Sequence, residues 1–373
     1  MEAWEDRAVS LKIETILLSL ETDQYAGKGQ KAPGISDYAC AARELEALGF
    51  DHLTTAEAGH DPFLPIAIAA EHTERVMLAT NVAIAFPRSP MVTAQLAWDL
   101  QHLSAGRFQL GIGTQVKGHN ERRYGAPWTA PPGPRLRDYI HCLRAIFESF
   151  QSGSKPTKFA GEHYQFTMLP PFFNPGPIDY PAPPIHIAAV NKYMTRLCGE
   201  LCDGLRLHPI ATFRYTKEVL LPAIKAGAAK SGRSLSDIEI VGAPFLAIAP
   251  DEAGVEKARA ETKQRISFYA STRTYHSVLN FHGWDEVGAK LHQYSLEGKW
   301  AEMPALISDE MLDEFALIGT YDQLAAQVAE RCPGSFTTVM LDMPHDLRRD
   351  KDRVKDILRD IRALGERSTK SEG

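Results

Sequence analysis

Short apolar runs alternate with longer stretches in which apolar positions recur every three or four residues, and this rhythm persists along almost the whole chain. The runs TILLSL (15–20), DHLTTAE (51–57), VMLATNVAIA (76–85), FQLGIGT (108–114), PIHIAAV (184–190), GLRLHPI (204–210), IEIVGAPFLAIA (238–249) and TTVMLDM (337–343) predict strands. Helical spacing fills the intervals, as in DYACAARELEALG and DPFLPIAIAAEHT. It is clearest from Leu136 to Phe150, where Leu136, Tyr139, Ile140, Leu143, Ile146, Phe147 and Phe150 fall on one stripe. Asp61-Pro62 and Ser89-Pro90 each set a capping side chain before a proline at a helix start, and Thr320 with Gln323 reads as a capping box.

Eight strands, each followed by a helix and mostly apolar on both faces, predict a parallel sheet covered on all sides. The expected fold is a closed α/β (β/α)8 TIM barrel spanning 1–373 as one domain, with long insertions at its C-terminal mouth. A doubly wound open sheet is the alternative. Long connections remain: 22–36, 116–134, 153–183 and an aromatic-rich insertion at about 271–318 between strands 7 and 8. The first, second and fourth are expected to roof a pocket at the mouth, where barrel enzymes carry their sites.

Composition narrows the class. The 373 residues are 44% hydrophobic, with a net charge of −6. That balance gives no reason to expect nucleic acid or membrane as partners, and no run approaches the roughly 20 apolar residues of a span. The polar opening MEAWEDRAVSLK argues against an export signal, so a cytoplasmic protein is expected. The five cysteines are scattered and read as structural thiols, and no metal site is expected. A metal-dependent amidohydrolase-like barrel would want a His-x-His pair ending strand 1, and TILLSLETDQ has no histidine.

Candidate chemistry sits at the predicted strand ends. In FQLGIGTQVKGHNERRYG, Gly111-x-Gly113 suggests a dinucleotide fingerprint, but Val116 stands where its third glycine is required. The glycines instead fit a backbone passing close to a flat ring. Lys117, His119, Arg122 and Arg123 put four cationic or titratable groups in the following loop, suited to an anion or to surface ion pairs with Glu121 and its neighbours. Glu57 closes strand 2 with His60 three residues on; both, and His119, are candidates for acid–base work, or Glu57 and His60 form a rim ion pair. His208, His276 and His282 are weaker candidates.

The block RSPMVTAQLAWDLQHLSAGRFQLGIGT (88–114) resembles the luciferase-like flavin and deazaflavin oxidoreductases. LEALGFDHLTTAE (45–57), VMLATNVAIAFPRSP (76–90), IHIAAVNKYMTRLCGELCDGL (185–205) and FALIGTYDQLAAQVAERC (315–332) continue the resemblance in order. GTQVKGHNERRYG is similar to the branch dependent on coenzyme F420, a 5-deazaflavin. The resemblance implies the same barrel, with the cofactor ring over strands 2–4 and its phosphate at the helix after strand 5. It implies a bulge at Thr80, Asn81 and Val82, often carrying a cis peptide, behind the ring.

In the same reading Thr114 and the segment Ala188, Ala189, Val190, Asn191, Lys192 and Met194 face the cofactor. Asn191 is a plausible N-cap, leaving backbone N–H groups and the positive end of the helix toward the mouth, with Lys192 adding charge. Many relatives have Gly-Pro where this chain has Asn191-Lys192, which favours side-chain contact; the alternative is a cap beside a solvated lysine. F420 carries a phosphate and a polyglutamate tail, and Lys117, Arg122 and Arg123 suit those charges. The expected activity is hydride transfer between F420 and a small organic substrate with apolar surface. The alternatives are an FMN-dependent monooxygenase on the same barrel and a cofactor-binding protein without turnover. Family members are often dimers, so the resemblance implies a homodimer.

Overall fold

The computed structural model describes residues 11–18, 34–153 and 157–370. Its strands are β1 Lys12–Ile16, β2 His52–Thr55, β3 Met77–Thr80, β4 Ala83–Ile84, β5 Phe108–Gly113, β6 Phe159–Ala160, β7 Gln165–Phe166, β8 Ile185–Ala188, β9 Gly204–Arg206, β10 Glu239–Gly242, β11 Phe245–Ala249, β12 Ala316–Thr320 and β13 Thr338–Met340. The order β3-β2-β1-β13-β10-β9-β8-β5-β4 is parallel throughout, and pairing of Leu78 with Phe108 closes it. β3 and β4 share one barrel position, so the sheet is an eight-position (β/α)8 barrel, as expected from the strand–helix rhythm.

Alternate residues such as Ile13, Leu53, Leu78, Phe108, Ile185, Leu205, Ile240 and Val339 are buried in the apolar cluster shared with the helices. The helix Pro132–Ser152 buries every residue of the stripe expected from Leu136 to Phe150. Ser89 caps its helix through Val92 N–H (3.2 Å), and Asp61 Oδ1 accepts from the N–H groups of Phe63 (2.8 Å) and Leu64 (3.1 Å).

The lumen departs from the expectation of strands apolar on both faces. Arg206 Nη1 donates to both carboxylate oxygens of Glu14 (2.9 and 3.0 Å), and its Nη2 reaches Gln109 Oε1 (3.2 Å). Gln109 Nε2 and Thr338 Oγ1 donate to Glu239 (2.9 and 2.5 Å), with buried His52 and His186 alongside. All but the Thr338–Glu239 bond join non-neighbouring strands, so they cross the barrel interior. A buried charge persists only when paired and hydrogen-bonded, and Glu14 and Arg206 meet that demand for each other, with Arg206 Nε left without a partner among the described residues.

Three strand boundaries differ from the sequence reading. The first strand starts at Lys12 rather than residue 15, because Glu14 is inside the barrel and not at its edge. The third is interrupted at Asn81–Val82, a cis peptide. The seventh splits: β10 stays in the barrel, whereas β11 leaves it to pair in parallel with β12, Phe245 beside Ala316 through Ala249 beside Thr320. The chain from Glu252 to Phe315 is therefore a helical excursion held at both ends by a two-stranded sheet. Residues 22–33 of the expected glycine-rich loop lie outside the described residues, and Ile35 and Ser36 already belong to the helix Ile35–Leu48.

Candidate functional site

The interrupted third strand organises one wall of the mouth. Asn81 N–H donates to Thr55 O (2.6 Å), and its Nδ2 lies 3.2 Å from Met340 Sδ. Two glycines of β5 make room for the bend. A Cβ on Gly111 would lie 1.9 Å from Thr80 O, and one on Gly113 would lie 2.8 Å from Val82 Cγ2. The glycines thus accommodate the chain's own 80–82 segment, where the sequence reading had them facing the ring directly. Thr80 is fully buried, and its hydroxyl is used twice on Gly111, donating to its carbonyl (2.6 Å) and accepting its N–H (3.0 Å). The hydroxyl is committed to the strand pair, which leaves Asn81 and Val82 as the half-buried members of the bulge.

Glu57 braces the same segment. Its N–H points to Val82 O (3.4 Å), and its Oε2 accepts from Ile84 N–H (2.7 Å) and Arg88 Nη1 (2.7 Å). Tyr124 donates to Oε1 at 3.1 Å; burial, with the Glu57 charge beside it, raises that phenol above its usual range. With 6% of its side chain exposed and both oxygens occupied, Glu57 is built as an anionic strut. His60 is exposed on the rim of a cavity of about 110 Å³ between the ends of β1 and β2, shared with Tyr38, Thr54, Asp61 and Asp342. The two candidates at the end of strand 2 therefore occupy different surroundings.

Beyond β5 the chain forms a short helix, Lys117–Arg122, pinned by buried Asn120, whose Nδ2 donates to the carbonyls of Thr114 (2.9 Å) and Val116 (3.1 Å). Lys117 lies 3.9 Å from Glu121, an exposed i,i+4 pair of the kind weighed against anion binding. Arg123 donates to Ala58 O and lies over the Tyr124 ring, tying this helix to the end of strand 2. His119 and Arg122 are exposed, with no side-chain hydrogen bond or ion pair among the described residues.

After β8 the helix Lys192–Leu201 starts as expected. Asn191 Oδ1 accepts from Met194 N–H at 3.0 Å, and this leaves the N–H groups of Lys192 and Tyr193 outside the helix ladder. Ala189, Val190 and Met194 are buried, Ala188 is half-buried, and Asn191 and Lys192 are exposed; Lys192 has no ion pair among the described residues. Val190 O receives the hydroxyl of Tyr215 at 3.1 Å, which fixes the turn into the helix.

The opposite wall comes from the excursion. His208, just past β9, is packed by Tyr269 and Tyr275. His282 stacks on Trp284 (4.1 Å, planes 8° apart) and bridges Thr212 Oγ1 (2.8 Å) and Arg214 Nη2 (2.6 Å), so it clasps the excursion to the barrel. Buried Nε2 of His276 has no partner among the described residues. The lumen network was missed in the sequence; its signal was there, as Glu14, His52, Gln109, His186, Arg206 and Glu239 all interrupt apolar runs. Among the described residues no His/Cys/Asp/Glu cluster suits a metal ion, and no helix is long and apolar enough to cross a membrane.

A family model described as luciferase-like monooxygenase matches residues 15–337. An uncharacterized protein of Mycobacterium tuberculosis is 45% identical over 300 residues, covering 80% of this chain and 88% of the relative. A putative coenzyme F420-dependent oxidoreductase of the same organism is 29% identical over 304 residues, 76% of this chain and 84% of its own. Among solved structures, the coenzyme F420-dependent tetrahydromethanopterin reductase of Methanopyrus kandleri aligns over 94% of this chain and 97% of its own. Its TM-score of 0.70 at 19% identity is a likeness of fold.

Proposed function

The chain belongs to the luciferase-like monooxygenase family, and from that premise we propose that it is an oxidoreductase that uses coenzyme F420 and moves a hydride to or from an organic substrate. When bound, the deazaflavin gives or takes hydride at C5. The observation that carries the reading is the donor set at the mouth. The start of the helix Lys192–Leu201 offers two backbone N–H groups beside a lysine that has no ion pair among the described residues, and the helix Lys117–Arg122 adds His119 and Arg122, which have no side-chain partner among them either. On a chain of net charge −6, these groups fit an anion longer than a single phosphate.

In this assignment Lys192 and the N–H groups of Lys192 and Tyr193 hold the phosphate, and Lys117, Arg122 and Arg123 hold the tail. Asn81 and Val82 back the ring. Glu57 keeps Val82 and Ile84 in register, which makes it a positioning residue. Buried Ala189, Val190 and Met194 would line an apolar, water-poor side of the site when the cofactor is bound. The putative F420-dependent relative supports this cofactor. FMN shares the phosphate site but has no use for the cationic helix.

The test is a parallel titration of the purified protein, stripped of cofactor, with F420 and with FMN at low and moderate salt. Tight, salt-sensitive F420 binding with weak FMN binding is expected, and Lys117→Ala with Arg122→Ala weakens F420 alone. A preference for FMN rejects the F420 reading and leaves the helix as surface charge.

A further inference from the structure

The wall past β9 carries three polar heads that no described residue uses. His208 Nδ1 accepts the N–H of Ile210 at 3.1 Å, which places the proton of the neutral ring on Nε2. Burial holds that ring neutral, lowering its pKa to about 4. Tyr275 stacks on it at 4.7 Å with planes 26° apart, and Tyr269 meets it edge-on at 4.6 Å. The clamp comes from two stretches of the excursion: the last turn of the helix Glu252–Ala270, and the turn Arg273–Tyr275. The phenol of Tyr275 is pushed up to about 12, first by burial and then by Tyr269.

Among the described residues, His208 Nε2, Tyr269 Oη and Tyr275 Oη have no hydrogen-bond partner, and none is among the buried atoms sealed from solvent. The rings are thus fixed while their polar ends keep contact with solvent. Phe245 and Phe268 pack against Tyr269 (6.2 and 5.4 Å) and extend the apolar surroundings.

We propose that His208, Tyr269 and Tyr275 form a subsite for an uncharged oxygen of the substrate, a carbonyl or hydroxyl carried on an apolar frame, with His208 Nε2–H as the donor. A carbonyl, with two lone pairs, accepts from the imidazole and from the hydroxyl of Tyr275. A hydroxyl accepts from it and donates to a phenol. A carboxylate or phosphate would lose its hydration among these rings without meeting a counter-charge on them, so the subsite discriminates against anions. The inference rests on the oxidoreductase reading only in calling the ligand a substrate; the binding itself requires no cofactor.

The test uses the full-length protein, labelled with 15N-histidine and without added cofactor. Cyclohexanone and cyclohexanecarboxylate are titrated separately while the histidine ring nitrogens are followed by NMR. The His208 signals, assigned by their loss in His208→Phe, are expected in the Nε2–H pattern and shift saturably with the ketone alone. His208→Phe, which keeps an aromatic ring between the tyrosines, is expected to abolish ketone binding. Tyr275→Phe is expected to weaken it roughly five- to tenfold, the effect of one hydrogen bond, and supplies the measurement if the histidine variant does not fold.

No ketone-dependent shift at His208, an equal response to the carboxylate, or wild-type ketone affinity in a folded variant overturns the proposal. Ketone binding in a protein that prefers FMN over F420 would leave the subsite standing and reject the cofactor reading. F420 binding without a ketone response would do the reverse.

Discussion

Replacing Glu57 by Gln separates a strut from an acid. The carboxylate is held by Arg88 at 2.7 Å and Ile84 N–H at 2.7 Å, and 6% of the Glu57 side chain and 18% of that of Arg88 are exposed. Removing one partner of such a pair costs about 3–5 kcal/mol when nothing replaces it. Gln keeps an acceptor for Ile84 N–H but leaves the guanidinium without its counter-charge, so about 2–3 kcal/mol is expected. At about 2.1 cal/mol/K per residue, the unfolding entropy of this chain is roughly 0.8 kcal/mol/K, which makes the loss a fall of about 3–4 °C in Tm.

Arg88→Met should cost a similar amount, and the double variant should cost about 2 kcal/mol less than the sum of the singles. The same strut holds Ile84 and Val82, so cofactor binding should weaken in all three variants. The assay is unfolding of the cofactor-free protein, paired with the cofactor titration. Additive losses, or a Glu57→Gln protein as stable as wild type, would refute the assignment and return Glu57 to the acid–base candidates.

Two other outcomes are expected. Gly111→Ala must displace the Thr80 carbonyl, whereas Gly113→Ala presses on a side-chain methyl of Val82, so the first should lose far more soluble, folded protein than the second; equal yields and Tm values would contradict the packing described. His282 has its pKa lowered to about 4, by burial first and then by Arg214. Between its ordinary value of 6.5 and about 4, the unfolded chain takes up a proton that the folded chain refuses. Its contribution to stability is therefore full above 6.5 and falls as the pH drops toward 4. Urea titrations at pH 7 and 5 should show a smaller acid loss for His282→Gln than for wild type, and an unchanged loss would rule out the clasp as the titrating element.

The barrel was legible because its outer faces obey simple periodicity: the stripe from Leu136 to Phe150 is buried position by position. The lumen was not. Glu14 is paired with Arg206, 192 residues away, and no local window registers a partner at that distance. The same blindness displaced the first strand toward the more apolar TILLSL. At the mouth, the capping role of Asn191 was readable from residue type and spacing, and the structure bears it out through Met194 N–H. That Glu57 carries three hydrogen bonds was not readable, since Ile84, Arg88 and Tyr124 converge on it only after β3 is interrupted and the 117–122 helix is in place.

The pairing of β11 with β12 bears on how proteins of this shape diversify. The pair is parallel, with Phe245 beside Ala316 and Ala249 beside Thr320, so the excursion leaves after Ala249 and returns at Ala316, at opposite ends of two adjacent strands outside the barrel sheet. A segment anchored at both ends in one two-stranded sheet can lengthen cheaply, because loop-closure entropy grows only logarithmically and a doubling adds about 0.6 kcal/mol. Tyr269, Tyr275 and His282 lie within that segment, while Asn81, Glu57 and Asn191 lie outside it. Under the proposed assignment, the two tyrosines of the subsite can vary with the excursion while Asn81, Glu57 and Asn191 stay on the barrel, and His208, also on the barrel, is the fixed member to which they are fitted.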